Sequence, residues 1–95
     1  MENDHELKVN DSQNRFEFNI EGDTAFIEFM RTGDNYMLVH TEVPAAFEGK
    51  GVGKDLVAKT LEYIKTENGK FTPSCSFVNA YVKRHPEWQE YVSKE

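Results

Sequence analysis

The sequence predicts an α+β fold: a minimal antiparallel β-meander with helices packed on it, in the order β-β-β-(β)-α-β-α. Three observations predict it. Apolar and polar residues alternate from residue 15 to residue 43. Beyond residue 52 the apolar spacing becomes that of a helix. Between the two lies "HTEVPAAFEGKGVGKDL", residues 40–56, where a proline closes the β-rich run and Gly49, Gly51 and Gly53 follow.

The elements follow in order. "LKVN", residues 7–10, adds an edge strand, and residues 1–6 are expected to be disordered. "RFEFNIE" sets Phe16, Phe18 and Ile20 against Arg15, Glu17, Asn19 and Glu21, the period of a strand with one buried face. Gly22, between Glu21 and Asp23, marks a tight hairpin, and "TAFIEFMR" is the next strand. Gly33 and Asp34 supply the turn in "RTGDN". "YMLVHTEV" is apolar on both faces near Leu38 and Val39, which places it centrally.

In the back half, Gly53, Leu56, Val57, Leu61 and Ile64 form the inward stripe of a helix. Lys54, Asp55, Lys59, Glu62, Lys65 and Glu67 face water, and Asn68-Gly69 stops it. "KFTPSCS" is a short strand broken by Pro73. "SFVNAYVKR" is a short helix built on Phe77, Val78, Tyr81 and Val82. Pro86 turns His85 away from helix and opens a last helical turn, "PEWQEYV". Trp88 and Tyr91 are core residues of that turn, or a dimer contact.

The chain's 95 residues form a single domain, 1–95. Its net charge of −6 argues against nucleic acid, which demands many basic contacts. Any anion site is therefore local. The lone Cys75 excludes an internal disulfide and fits a reducing compartment. No apolar run reaches the length of a membrane span. The expectation is a soluble cytoplasmic protein, a monomer or weak homodimer, with no membrane partner and no metal site.

The glycines stand between a strand and a helix N-terminus, where free N–H groups and the helix dipole favour an anion. Glycine lets backbone approach phosphate closely. Two familiar phosphate motifs fail on counting. A P-loop ending at Gly53-Lys54 would need glycine at Glu48 and Ser or Thr at Asp55. The dinucleotide fingerprint would place its last glycine at Lys54 or Leu56. A turn that only reverses the chain is the structural alternative.

"EGKGVG" resembles the [QR]-x-x-G-x-[GA] segment of the GNAT superfamily of acyl-CoA N-acyltransferases. Together with "HTEVPAAFEGKGVGKDLVAKTLEY", "TPSCSF" and "RHPEW", it resembles the small single-domain GNAT-like proteins, over residues from about 36 to 92. The resemblance implies a GNAT-like minimal fold whose central strand splays before the loop. It implies acetyl-CoA, or coenzyme A, as cofactor, with its pyrophosphate held by loop amides. The implied cofactor-binding residues are Val43, Glu48, Gly49, Lys50, Gly51, Val52, Gly53 and Lys54, with Asn79 on the pantetheine arm. Glu48 departs from the family's Gln or Arg and adds negative charge beside the phosphate site.

Acyl transfer from a thioester needs a base for the amine, an oxyanion site and an acid for the leaving thiolate. His40 and Glu42 lie two apart on one strand, so both point to one face, and either suits the base. A hydrogen-bonded structural histidine and a solvated carboxylate are the alternatives. The resemblance places Cys75 near the thioester. Beside a helix N-terminus its thiol would be partly ionised, fit to act as acid, to orient the cofactor or to accept the acyl group. A small packed cysteine is the alternative. Tyr81 is a second candidate acid, or a core tyrosine. Lys83, Arg84 and His85 suit the adenosine 3′-phosphate, or form a solvated turn. The acceptor amine is unknown; a protein tail would suit a wide, shallow site. The competing function is a non-catalytic acyl-CoA-binding or protein-interaction module.

Overall fold

The computed structural model describes residues 5–93. Five strands form one sheet in the order β1 to β5: β1 Lys8–Asn10, β2 Arg15–Ile20, β3 Asp23–Thr32, β4 Asn35–Glu42 and β5 Lys70–Pro73. Helix α1, Val52–Thr66, and helix α2, Ser76–Arg84, flank β5 in the chain. Single 3₁₀ segments cover Ala45–Phe47 and Pro86–Tyr91.

The first four strands pair antiparallel, as an alternating sequence with short turns demands. Glu21 and Gly22 make the β2–β3 turn with φ of 51° and 87°, a twist that matches the strands they join. β5 then joins β4 in parallel, with α1 as the crossover. So the meander is real, and the complete sheet is mixed. The outer edge of β5 meets the stretch that follows the last 3₁₀ segment, where Ser93 N–H donates to Phe71 O at 2.7 Å.

The core lies on one face of the sheet. Phe16 sits opposite Ile27, Phe18 opposite Ala25 and Phe29 opposite Leu38, and all six are buried. Leu56, Val57, Leu61 and Ile64 of α1 pack there, with Val78 and Val82 of α2 and Trp88 behind them. Each such side chain stabilises the fold by about 1.5–3 kcal/mol through its burial. α1 ends as its sequence requires. Asn68 takes a φ of 59°, and Gly69 N–H donates back to Ile64 O at 2.9 Å.

The opposite face carries no helix among the described residues. Glu17 is buried there by Arg15 at 2.9 Å and by the Asn10 amide at 3.1 Å. Met30 and Met37 of the same face are exposed. Residues 1–4 of the expected disordered stretch lie outside the described residues. His5 is described, with its ring 5.2 Å from that of Phe18. No helix among the described residues is long and apolar enough to cross a membrane.

Candidate functional site

The site begins where two strands part. β4 pairs with β5 only from Asn35 to Leu38. Cys75 N–H then donates to Leu38 O at 2.9 Å, a further backbone bond just beyond the β4–β5 ladder. β4 runs on to Glu42 while the chain after Pro73 turns into α2. The divergence opens a gap beside the second half of β4.

A bulge sets what faces that gap. Leu38 is opposite Phe29 and His40 is opposite Glu28, so Val39 is the extra residue on β4. One extra residue reverses the alternation beyond it. Thr41, opposite the buried Ile27, therefore takes the helix-covered face. His40 and Glu42, opposite Glu28 and Phe26, take the uncovered face.

The 3₁₀ turn Ala45–Phe47 carries the chain from β4 to the glycines. Gly49 and Gly51 have φ of 79° and 80°, which residues with a Cβ rarely adopt. Gly51 is the N-cap of α1, and Asp55 N–H donates to its carbonyl at 3.0 Å, the first bond of the helical ladder. The N–H groups of Val52, Gly53 and Lys54 precede that ladder and have no acceptor within the helix. They open on a cleft of about 550 Å³. Thr41, Val43 and Phe77 form its walls, Phe47 and Glu48 its rim, and the glycine turn its floor.

This floor fits an anion. A Cβ on Gly49 would meet nothing within 4 Å, so the backbone there is open to a ligand. A Cβ on Gly53 would come within 2.7 Å of the Phe77 ring, so ring and helix start are already in contact. Unpaired amides at the positive end of a 15-residue helix suit an anionic group in chemical terms. Glu48 opposes it and Lys54 favours it; both side chains are exposed at the cleft.

Cys75 is the N-cap of α2. Thr41 Oγ1 lies 3.2 Å from its sulfur, which links the thiol to the wall of the cleft. Burial pushes the Cys75 thiol up, but hydrogen bonds to sulfur outweigh it and hold the pKa below that of an ordinary thiol. Thr41 contributes through its hydroxyl and then its N–H, and the N–H groups of Val78 and Phe77 contribute between these. The two α2 amides face the sulfur without closing a formal cap.

Of the residues expected at the cofactor, Val43, Glu48, Gly49, Gly51, Val52, Gly53 and Lys54 line the cleft. Lys50 is exposed outside it. Asn79 is exposed on α2, with its N–H donating to Cys75 O at 2.9 Å. His40 Nε2 and Glu42 Oε1 are 2.9 Å apart and exposed, so they share a face as expected, but the face away from the cleft. Phe77, expected inside α2's apolar stripe, is 41% exposed and forms a cleft wall. Thr41 and Phe47 were not singled out by sequence. A strict period of two pairs Thr41 with Val39 and Met37, and no residue in "MLVHTE" signals the bulge. Lys83 and Arg84 are solvated, while His85 stacks on Tyr81 at 4.2 Å.

Comparisons with known proteins agree with this architecture. Residues 15–91 match the model of the GCN5-related N-acetyl-transferase family. Protein NATD1 of Xenopus tropicalis is 39% identical over 49 residues, 52% of this chain and 45% of that protein. The chain thus spans under half the length of that relative in the aligned region. Protein NATD1 of Danio rerio is 28% identical over 93 residues, 90% of this chain and 84% of that protein. The solution structure of a GCN5-like candidate N-acetyltransferase from Staphylococcus aureus superimposes with a TM-score of 0.71 at 26% identity. That match covers 98% of this chain and 91% of the other.

Proposed function

Since the chain belongs to the GCN5-related N-acetyltransferase family, we propose that it binds acetyl-CoA in the cleft at the head of α1 and transfers the acetyl group to an amine. The observation that carries this reading is the set of unpaired N–H groups of Val52, Gly53 and Lys54 opening on a cleft that shares Thr41 with Cys75.

Acetyl-CoA would supply a polyanion to be gripped and an acyl thioester open to nucleophiles. The chain's own residues do the rest. The α1 amides hold the pyrophosphate, and Lys54 adds its charge at the rim. Phe47, Val43 and Phe77 exclude water from the apolar part of the cleft. Thr41 and the first amides of α2 hold the Cys75 thiol's pKa below its ordinary value. A more readily ionised thiol suits a nucleophile that attacks the thioester carbonyl and takes the acetyl group, with CoA leaving as its thiolate. His40 and Glu42 would meet an amine that arrives from the uncovered face, where the pair can take its proton. That face is broad and open, in keeping with an amine carried on a protein.

Calorimetric titration with acetyl-CoA, followed by mass spectrometry of the protein and of a peptide panel, tests this. Saturable binding with acetyl transfer to Cys75 or a peptide is expected. Absence of binding refutes the cofactor. Binding without any transfer refutes catalysis and leaves an acyl-CoA-binding module.

A further inference from the structure

Among the residues that line the cleft at the head of α1, only Glu48 and Lys54 carry charged side chains, and both are exposed. Their charges cancel. What remains for an anion is the set of unpaired N–H groups of Val52, Gly53 and Lys54, which act at short range. The chain around them carries a net charge of −6, which disfavours a ligand with many negative charges.

The apolar part of the cleft has a direction. Gly53 lies so close to Phe77 that a Cβ there would meet the ring at 2.7 Å. The N–H of the same Phe77 faces the Cys75 sulfur. Phe77 therefore spans from the α1 amides to the thiol. Thr41, another wall of the cleft, lies 3.2 Å from that sulfur. A ligand that holds the amides with phosphate and brings a thioester to Cys75 must run along this ring, so the arm between its two ends must be uncharged.

We propose that the cleft recognises its donor as an acylated 4′-phosphopantetheine arm and does not read the adenosine 3′-phosphate of CoA. This selectivity rests on the acetyl-CoA reading above and narrows it. The arm supplies a phosphate for the α1 amides, an uncharged chain for Val43, Phe47 and Phe77, and a terminal thioester for Cys75. The 3′-phosphate would add a charge of about −1.5 to −2 near neutral pH. No cation of the lining is left to meet it, because Glu48 offsets Lys54 and Lys50 is exposed outside the cleft. Lys83 and Arg84 lie in the last turn of α2, whose N-cap is Cys75. Tyr81 shares a hollow with Ala58 and Glu62, so α2 runs alongside α1 and carries those two cations away from the glycine turn.

Calorimetric titration of the full chain with CoA, dephospho-CoA, 4′-phosphopantetheine and pantetheine, under reducing conditions, tests this. The first three should bind within about threefold of one another. Pantetheine lacks the phosphate and should bind about tenfold more weakly, or worse, because charge-assisted hydrogen bonds are lost. Glu48→Arg supplies a cation at the exposed rim, so in that variant CoA should bind about tenfold more tightly than dephospho-CoA at low salt. A loss beyond about threefold for dephospho-CoA or 4′-phosphopantetheine in the wild type would overturn the proposal. So would pantetheine that binds as well as 4′-phosphopantetheine, or a Glu48→Arg variant that still holds CoA and dephospho-CoA alike. Binding by none of the four would refute the acetyl-CoA reading together with this one, whereas each of the other contrary results leaves CoA binding established.

Discussion

Substituting Gly53 and Gly51 with alanine, one at a time, should separate folding from ligand binding. In Gly53→Ala the new methyl would sit 2.7 Å from the tip of Phe77, and ordinary contact begins near 3.4 Å. The ring must therefore retreat by about 0.7 Å. Phe77 is 41% exposed, so it has room to turn at a cost of about 0.5–1.5 kcal/mol. Alanine in a helix gains about 0.8–1 kcal/mol over glycine. The two effects nearly cancel, and the melting temperature should change by only a few degrees. The displaced ring and new methyl nevertheless crowd the amides of Val52 to Lys54. Losing even one charge-assisted hydrogen bond there costs about 1.5–3 kcal/mol, or roughly tenfold or more in affinity for CoA. Gly51→Ala behaves differently. Its φ of 80° forces alanine into the left-handed region, at about 1–2 kcal/mol. A domain of this size loses about 4–8 °C of melting temperature for each kcal/mol. Thermal denaturation and calorimetry with CoA read both variants. A folded Gly53→Ala that binds CoA with wild-type affinity would refute the reasoning, as would a Gly51→Ala that melts with the wild type.

Cys75 should alkylate with iodoacetamide along a pH profile whose midpoint lies below that of a free thiol, and Thr41→Val should move the midpoint up; an unmoved midpoint denies Thr41 its role. Because Cys75 ionises at lower pH in the folded protein than in the unfolded chain, the unfolded chain holds more protons between those two values, and stability should rise with pH across that window. The melting-temperature difference between wild type and Cys75→Ser should grow there, level off above the ordinary thiol value, and vanish as pH falls through the folded value. Glu48→Arg reverses a charge exposed on the cleft rim, so CoA should bind more tightly and with a steeper salt dependence; unchanged affinity at low salt would place that side chain outside the phosphate field. Thr60 Oγ1 is buried with no hydrogen-bond partner, so Thr60→Val should raise stability by about 1 kcal/mol in chemical denaturation, and a loss would mean that the hydroxyl is satisfied.

Much of this is legible in the residues because it is local. The alternation through Phe16 and Phe18, the Glu21-Gly22 turn, the α1 stripe and the Asn68-Gly69 stop each depend on neighbours in sequence. The glycine floor is legible for the same reason, since strand, glycines and helix start are contiguous. What sequence hides is long-range or rests on one residue's register. Val39 reads as an ordinary strand valine, yet it bulges and sends Thr41 to the cleft and His40 with Glu42 to the other side. Thr41 and Cys75 are 34 residues apart, so their contact follows only from where β4 leaves β5. Phe77 has the spacing of a core residue in α2, but the glycine at position 53 leaves a surface for its ring and draws it to the cleft. The mixed sheet likewise follows from a crossover and not from any strand's own pattern.

The most direct measurement is a titration of the ¹⁵N-labelled protein with CoA, followed through its backbone amides. An anion cradle at the head of α1 predicts the largest shifts at Val52, Gly53 and Lys54, smaller ones at Thr41 and Phe77, and almost none at Glu62 or Trp88. Shifts absent from the α1 amides, or concentrated elsewhere on the molecule at saturating CoA, would contradict it.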